Sequence, residues 1–312
     1  TGSNNLIIGY DVEAPSNTAS NQLNIGNLIF SQGVNATGTA LSTGNIGIGT
    51  TTPDAKLTVQ GKINISSTTL GYQIGGTQVL SSVGVDPDGN GWLSLTAGLL
   101  SGASLNSDSQ LNTAVGYAAL FSATSSLNST AVGGQALYSA GATYDDTAIG
   151  MNAISELTNG YSNTAVGSQA LRFMKTGIGN SVLGYGALYS SSLQELNRNT
   201  AIGMYSGRTL DTGADNNILI GYQAADSMTT GANNLIIGYD VEAPSNTGSN
   251  QLNIGNLIFG TGIDGIGTTL SSGGIAIGTT TGANARLSIQ SQGTTDILNL
   301  FETGGTEVFT VL

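Results

Sequence analysis

Residues 163–171 read Asn-Thr-Ala-Val-Gly-Ser-Gln-Ala-Leu, and closely related stretches recur along the second half of the chain. In every copy a glycine follows Val, Ile or Leu. Successive glycines are about 17 residues apart, and a repeat this short is typical of a solenoid, in which each repeat forms one coil that stacks on the next. These ladder glycines are Gly116, Gly133, Gly150, Gly167, Gly184, Gly203, Gly221, Gly238 and Gly255.

The residue types in the repeat favour parallel β-coils. Side chains alternate between the two faces of a strand, so the Ala and Gly of Thr-Ala-Val-Gly share one face and the Thr and Val share the other. The 47 glycines, the recurrent Asn, Ser and Thr, and the lack of a 3.6-residue apolar stripe disfavour helix. We therefore predict an all-β fold, a parallel β-roll or β-solenoid with one short repeat in each coil. The ladder glycines are predicted to line the coil interior.

The residue before each ladder glycine predicts how the chain assembles. It is apolar in all nine coils, and a coil this thin leaves that face uncovered. Exposed apolar stripes normally mark interfaces, and identical chains around a threefold axis would cover them all. We therefore predict a homotrimer, with chains intertwined or side by side. Its interface residues would be Val115, Val132, Ile149, Val166, Leu183, Ile202, Ile220, Ile237 and Ile254.

A longer repeat lies over the short one. The segment Leu6–Thr18 recurs as Leu235–Thr247, and the similarity continues to the stretches around Val59 and Ile289. This pattern predicts tandem modules of a longer filament. The modules are the end of a β-roll with a Gly/Thr-rich exit at 1–59, a non-roll β connector at 60–111, the main β-roll at 112–259, and an exit with a β-hairpin at 260–312 that repeats the type seen at 31–80.

Composition argues against several classes of function. Of the 312 residues only 8% are charged, and the net charge of −12 disfavours nucleic acid and anionic membranes as partners. The chain has no cysteine, hence no disulfide or zinc-thiolate site, and no histidine, the usual general base. No apolar run approaches the ~20 residues of a membrane span. We predict no enzyme activity, no nucleic-acid partner and no membrane span.

One loop suggests a metal site. Asp86, Asp88 and Asn90 place oxygen ligands at alternate positions of a Gly-rich loop, as calcium sites do. The alternative is a polar turn that joins two strands. Calcium is the one cofactor that the sequence suggests.

Three further sets of polar and aromatic residues have competing interpretations. Stacked tyrosines after ladder glycines would bind sugars or, alternatively, cap the corner of the roll; they are Tyr117, Tyr185, Tyr222 and Tyr239. A carboxylate pair in a groove would serve a glycosidase, and the candidates are Asp145, Asp146 and Glu156. The Asn, Asp or Ser that opens each coil is interpreted as a side-chain amide ladder or a turn former.

The repeats carry a family resemblance. The Asn-Thr-Ala-Val-Gly-x-x-Ala-Leu coils resemble the head repeats of trimeric autotransporter adhesins, which are left-handed parallel β-rolls assembled as trimers. Together with Gly-Asn-Ile-Gly-Ile-Gly-Thr-Thr-Thr-Pro at 44–53 and Lys-Leu-Thr-Val at 56–59, they are also similar to bacterial and phage tail-fibre-like proteins. The resemblance covers residues 1–59 and 112–290. It implies an extracellular fibre, on a cell surface or as a virion appendage.

The function expected from these features is structural or adhesive. The chain would be a segment of an extracellular homotrimeric fibre that acts as a stiff spacer and binds a cell-surface glycan or protein receptor. One alternative is a phage tail fibre that recognises host surface glycans. Another is a glycan-degrading tailspike.

Overall fold

The chain is all-β in a computed structural model, with a β-solenoid of about 12 turns. No helix lies in the parts that the structure describes, which are residues 2–36, 40–61, 72–74, 77–83, 94–106, 108–190, 194–278, 287–289, 298–301 and 307–311. The chain divides into two compact units, Thr1–Ser66 and Ser67–Leu312.

The first unit is a five-stranded sheet. Its strands are β1 (Leu6–Ile8), β2 (Gln22–Ile25), β3 (Ile29–Gln32), β4 (Asn45–Ile48) and β5 (Leu57–Val59), and they lie in that order. The β1–β2 pair is parallel, the next two pairs are antiparallel, and β4–β5 is parallel again. This unit therefore contains one parallel coil-to-coil pair, β1–β2, then an antiparallel stretch through β3 and β4, and a final parallel pair, β4–β5.

The second unit contains a fifteen-stranded sheet, a four-stranded sheet and a two-stranded sheet. Its strands are β6 (Tyr72–Ile74), β7 (Thr77–Val83), β8 (Ser94–Ala97), β9 (Thr113–Val115), β10 (Thr130–Val132), β11 (Ala142–Tyr144), β12 (Thr147–Ile149), β13 (Asn159–Tyr161), β14 (Thr164–Val166), β15 (Met174–Ile178), β16 (Ser181–Leu183), β17 (Gln194–Asn197), β18 (Thr200–Ile202), β19 (Ile218–Ile220), β20 (Leu235–Ile237), β21 (Gln251–Ile254), β22 (Ile258–Thr261), β23 (Gly274–Ile277), β24 (Leu287–Ile289), β25 (Leu298–Phe301) and β26 (Glu307–Val311).

Equivalent residues of successive coils lie directly opposite each other. Thr130 pairs with Thr113 on one side and Thr147 on the other, and the parallel ladder continues in this register from β9 to β21. The four-stranded sheet, β11-β13-β15-β17, forms a second parallel wall of the middle coils. The predicted parallel β-solenoid, with one short repeat in each coil, is therefore confirmed.

Small residues fill the coil interior. The middle residue of each short strand, such as Ala131, Ala148 and Ala165, is fully buried. Opposite this row lie buried pairs such as Ala136 and Leu137. An alanine facing a leucine leaves little space between the walls, so the coil is thin.

Where a larger residue replaces alanine on one wall of the coil, a smaller residue replaces the usual large one on the facing wall. In the coil that begins at β19 the middle residue is Leu219 instead of alanine, and it is fully buried. The neighbouring coil then has Gly207 where the five coils before it have leucine or isoleucine, and a Cβ at Gly207 would lie 2.6 Å from Cδ1 of Leu219. Because packed interiors tolerate little added volume, the larger residue on one wall requires a smaller one on the other.

The chain turns into the main sheet at a fixed place in each coil. The backbone there has positive φ, with values of 55° at Asn128, 56° at Asp145 and 59° at Ser162. Glycine takes this place at Gly179 and asparagine at Asn216. Asn, Asp and Gly adopt this left-handed conformation more readily than other residues, which explains the polar corner of the repeat.

The predicted start of the roll at residue 112 is wrong. β8 already pairs in parallel with β9, so the stack begins within the stretch assigned to the 60–111 connector. Gly98 has φ of +125°, and a Cβ on it would lie 2.7 Å from the carbonyl oxygen of Gly116. Gly98 is thus a further ladder glycine that the sequence analysis missed, because Leu-Thr-Ala-Gly at 95–98 lacks the Ala-Val of the repeat.

The last predicted ladder glycine has a different role. Gly255 has φ of +61° and lies in the tight turn between β21 and β22, which pair antiparallel. Gly26 takes the same place between β2 and β3, with φ of +59°. The coil ladder therefore ends at Gly238, and a hairpin follows it.

The longer sequence repeat is also a repeat of topology. Strands β20 to β24 pair parallel, antiparallel, antiparallel and parallel, as β1 to β5 do. The tail strands β25 and β26 form the antiparallel pair that the sequence predicts. β6 and β7 form another antiparallel pair.

Candidate functional site

The ladder glycines lie at the corner after each strand of the main sheet. From Gly116 to Gly221 their φ values run from 130° to 142°, and they are half-buried. A Cβ on Gly150 would lie 2.5 Å from the carbonyl oxygen of Gly167 in the next coil. The prediction that these glycines line the coil interior is therefore wrong. Alanine, leucine and isoleucine side chains fill the interior, and glycine is required at the corner because successive corners stack backbone to backbone.

The residues predicted as trimer interface lie on the outer face of the main sheet. Their exposed fractions are 36% for Val115, 39% for Ile149, 50% for Leu183 and 40% for Ile202. The others, Val132, Val166, Ile220, Ile237 and Ile254, are half-buried. The outward residues of β9, β10, β12, β14, β16, β18, β19 and β20 are Thr, Ser, Val, Ile and Leu, with no charged side chain among them. We call this surface the outer apolar face.

The polar residue that opens each coil forms a hydrogen-bonded ladder inside the roll. Oδ1 of Asn180 accepts hydrogen bonds from the backbone N and Nδ2 of Asn199, at 3.0 and 3.3 Å. Nδ2 of Asn180 donates to Oδ1 of Asn163 at 2.9 Å and to the carbonyl of Leu196 at 2.7 Å. The predicted amide ladder is confirmed. Its fully or almost fully buried members are Asn112, Ser129, Asp146, Asn163, Asn180, Asn199, Asn217, Asn234 and Gln251.

Asp146 differs from its neighbours in this ladder because it is a carboxyl group. Its Oδ1 accepts from the backbone N of Asn163 at 2.8 Å and from Nδ2 of Asn163 at 3.0 Å. Its Oδ2 is buried and has no hydrogen-bond partner. Burial raises the pKa of Asp146 to about 6, although the hydrogen bonds from Asn163 act in the opposite direction. A side chain enclosed in this way is unavailable to a substrate.

The other two candidate carboxylates do not share this enclosed position. Asp145 is exposed and accepts a hydrogen bond from Nδ2 of Asn128 at 3.1 Å. Glu156 is half-buried. A glycosidase needs two carboxylates in a groove, and the burial of Asp146 excludes it from any such pair.

The tyrosines after the ladder glycines are exposed at the corner. Tyr222 and Tyr239 stack with ring centroids 5.2 Å apart and planes 15° apart, and Tyr239 is 77% exposed. Tyr185 meets Tyr205 edge to face, with centroids 5.4 Å apart. Tyr117 is also exposed.

A charged cluster, which was not predicted from the sequence, lies beside the Tyr205 ring. The guanidinium of Arg208 lies 5.4 Å from the ring centroid of Tyr205 and forms an ion pair with Asp226 at 3.4 Å. Nε2 of Gln223 donates to Asp226 at 3.3 Å. We call Arg208, Gln223, Asp226, Ser227 and Glu242 the Arg208 cluster.

The two carboxyl groups of the Arg208 cluster are held together by Ser227. Its Oγ lies 2.9 Å from Oε1 of Glu242 and 3.3 Å from Oδ1 of Asp226. Its backbone N donates to Oε2 of Glu242 at 3.3 Å. Burial, and next the adjoining Asp226 carboxyl, raise the pKa of Glu242. A sequence signal existed, because Arg208 and Asp226 occupy the same place in successive coils, at the same distance after a ladder glycine.

Two clefts lie elsewhere on the described surface. A cleft of about 450 Å³ in the second unit is lined by Asn216, Asn233, Asn250, Ile218, Leu235 and the segment 263–266. A cleft of about 660 Å³ in the first unit is lined by parts of the segments 32–33, 43–45 and 52–54. Neither brings together a set of titratable groups.

The predicted calcium ligands Asp86, Asp88 and Asn90 lie outside the described residues. Among the residues that are described, no group of three or more His, Cys, Asp or Glu side chains could hold a metal ion. Over the same residues, no helix has the length and apolarity needed to cross a membrane.

Comparisons with protein-family models, curated proteins and solved structures find no match for the chain. The resemblance to trimeric adhesin heads and tail-fibre repeats therefore stays a prediction from the repeat motif.

Proposed function

We propose that this chain is a structural segment of an extracellular homotrimeric fibre, located on a cell surface or as a virion appendage. The outer apolar face carries the proposal. It runs along eight successive parallel strands with no charged side chain, and it is unpartnered in the single chain. Surfaces of this kind are interaction sites in soluble proteins.

A second copy of the same chain is the partner that fits this face best. Its apolar residues recur with the coil period, so a copy with a parallel axis would bring matching residues together at every coil. A threefold arrangement would cover the face of each chain with the same surface of its neighbours. The repeated topology of β1–β5 and β20–β24 supports tandem modules along such a fibre.

The mechanical role follows from the bonding within the roll. Backbone hydrogen bonds join each coil to the next, and the buried amide ladder adds side-chain hydrogen bonds along the same direction. Bending a coil away from its neighbour would break both sets at once. A fibre of such coils would serve as a stiff spacer that holds an adhesive surface away from its base.

We expect the chain to have three times its own mass in dilute, non-denaturing buffer. Leu183→Asp is expected to abolish this assembly, because a carboxylate buried at an interface without a partner costs several kcal/mol. Leu183 suits the test because half of its surface is exposed in the single chain, so the variant still folds its coil. Sedimentation equilibrium measures the mass.

The matched control is Asn159→Asp, which adds the same charge at an exposed position of β13 in the other sheet. It is expected to leave the mass unchanged. A monomeric wild type would contradict the trimer. A Leu183→Asp variant that assembles like the wild type would show that the outer apolar face is not the interface.

A further inference from the structure

Four tyrosines lie in four successive coils of a single chain, and the last three of these coils also carry the Arg208 cluster. Tyr185 contacts Tyr205, and a hydrogen bond between them raises the pKa of Tyr205, which also interacts with Tyr222 and Arg208. Tyr222 in turn stacks on Tyr239. Gln223, the residue after Tyr222, donates to Asp226 of the cluster.

The fold does not require aromatic residues at this corner. The residue after the ladder glycine is Gly134 in one coil and Ser168 in another, and those coils have the same strand register. The tyrosine rings fill no interior space either, because the interior at this level consists of buried residues such as Leu219 and Ile236. The exposed ring of Tyr239 therefore has no structural function that the other coils share.

The fold does not require the charges of the Arg208 cluster. At the place of Arg208 and Asp226 one other coil carries Arg172, whereas three others carry the uncharged Phe121, Tyr138 and Ser155. Burial first, and then the adjoining Asp226 carboxyl, raise the pKa of Glu242, so holding these two carboxyl groups together has a cost when both are ionised. A carboxyl group with a raised pKa beside an exposed aromatic surface, as Glu242 is here, is typical of binding sites.

We propose that the stacked pair Tyr222 and Tyr239 and the Arg208 cluster bind a neutral pyranose saccharide. The apolar face of a sugar ring packs on an exposed tyrosine ring. The sugar hydroxyls hydrogen-bond to the carboxylate oxygens of Asp226 and Glu242, the amide of Gln223 and the guanidinium of Arg208, which offer both acceptors and donors. A polyanion does not fit, because the site contains two carboxyl groups and the chain has a net charge of −12.

This inference goes beyond the fibre role and does not depend on the trimer, because every residue of the site belongs to one chain. The test measures binding of the whole chain to neutral hexasaccharides of glucose (α- and β-linked), mannose, xylose and N-acetylglucosamine, by isothermal titration calorimetry. We expect at least one of them to bind. Tyr239→Ala and Asp226→Asn are each expected to weaken that binding at least about tenfold.

The control is Tyr117→Ala, which removes an exposed tyrosine from the same corner of a distant coil. It is expected to leave the affinity unchanged, and all three variants are expected to melt like the wild type. Absence of binding to every hexasaccharide, unchanged affinity in Tyr239→Ala, or an equal loss in Tyr117→Ala would each overturn the proposal. Measuring the mass of the same samples distinguishes this proposal from the proposed fibre role. A monomer that binds sugar would contradict the trimer but not the saccharide site.

Discussion

Replacing Gly150 with valine is expected to disrupt the roll in its middle coils. The φ of Gly150 is +133°, a conformation that β-branched residues do not adopt without strain. The new Cβ would lie 2.5 Å from the carbonyl oxygen of Gly167 and 2.6 Å from its carbon. Backbone strain and overpacking each cost about 1–3 kcal/mol, and the cost recurs in every chain of a trimer.

Far-UV circular dichroism during heating measures this effect. The matched control is Gly134→Val, because Gly134 lies in a corner of the preceding coil and a Cβ there meets no atom within 4 Å. We expect the control to melt close to the wild type and Gly150→Val to melt far below it or to lack the β-sheet spectrum. Equal melting of the two variants would mean that the corners do not stack backbone to backbone.

The coil period and its interior could be predicted from the sequence because both are local and repeated. Because the step between repeats is nearly fixed, equivalent residues fall at the same point of every coil. Stacking the coils therefore places Thr113, Thr130 and Thr147 opposite each other. The buried alanine row and the amide ladder follow from the alternation of side chains along each strand. Each coil tests the same assignment again, so errors at single positions matter little.

The limits of the roll could not be predicted in the same way. Leu-Asn-Ile-Gly at 252–255 has the form of a coil strand followed by a ladder glycine, yet Gly255 starts a hairpin. What decides this is the length of chain before the next strand, because β22 begins at Ile258, too soon for the chain to go round a coil. The role of the glycine thus depends on residues that follow it.

The interior place assigned to the ladder glycines failed for a related reason. The prediction assumed that side chains keep alternating between the two faces through the glycine. In the structure the strand ends at the residue before the glycine, and the backbone turns there. The Arg208 cluster was missed because Arg208, Asp226 and Glu242 lie in three different repeats and are far apart in the sequence. Stacking of the coils brings these side chains, from three successive coils, to one corner. The sequence shows this only when the repeats are aligned on their ladder glycines.

Asp146→Asn is expected to stabilise the roll at neutral pH. In the amide ladder, Nδ2 of Asn163 donates to the carbonyl of Gly177 at 2.9 Å, and Nδ2 of Asn217 donates to the carbonyl of Gly231 at 3.0 Å. Both acceptors are 14 residues further along the chain. An asparagine at position 146 would have the carbonyl of Gly160 at the equivalent place, so the amide replaces an unpartnered buried oxygen with a donor.

The raised pKa of Asp146 makes the stability of the wild-type fold depend on pH. The pKa of Asp146 is about 6 in the folded chain and 3.8 ordinarily, so the folded state binds the extra proton between these values. Stability therefore falls as pH rises from about 4 to about 6, and the full penalty applies above that range. A difference of about two pH units corresponds to about 3 kcal/mol per chain, which the asparagine variant does not lose.

Thermal melting at pH 4 and pH 7.5 of the wild type, Asp146→Asn and the control Asp145→Asn tests both statements. The gain in melting temperature of Asp146→Asn over the wild type is expected to be large at pH 7.5 and small at pH 4. Asp145→Asn alters an exposed carboxylate next to it and is expected to stay close to the wild type at both pH values, because Asp145 makes the smallest of the contributions to the pKa of Asp146. If Asp146→Asn melts no higher than the wild type at pH 7.5, the buried carboxylate does not oppose folding. A gain of the same size at pH 4 would mean that the amide hydrogen bond, and not the charge, is its source.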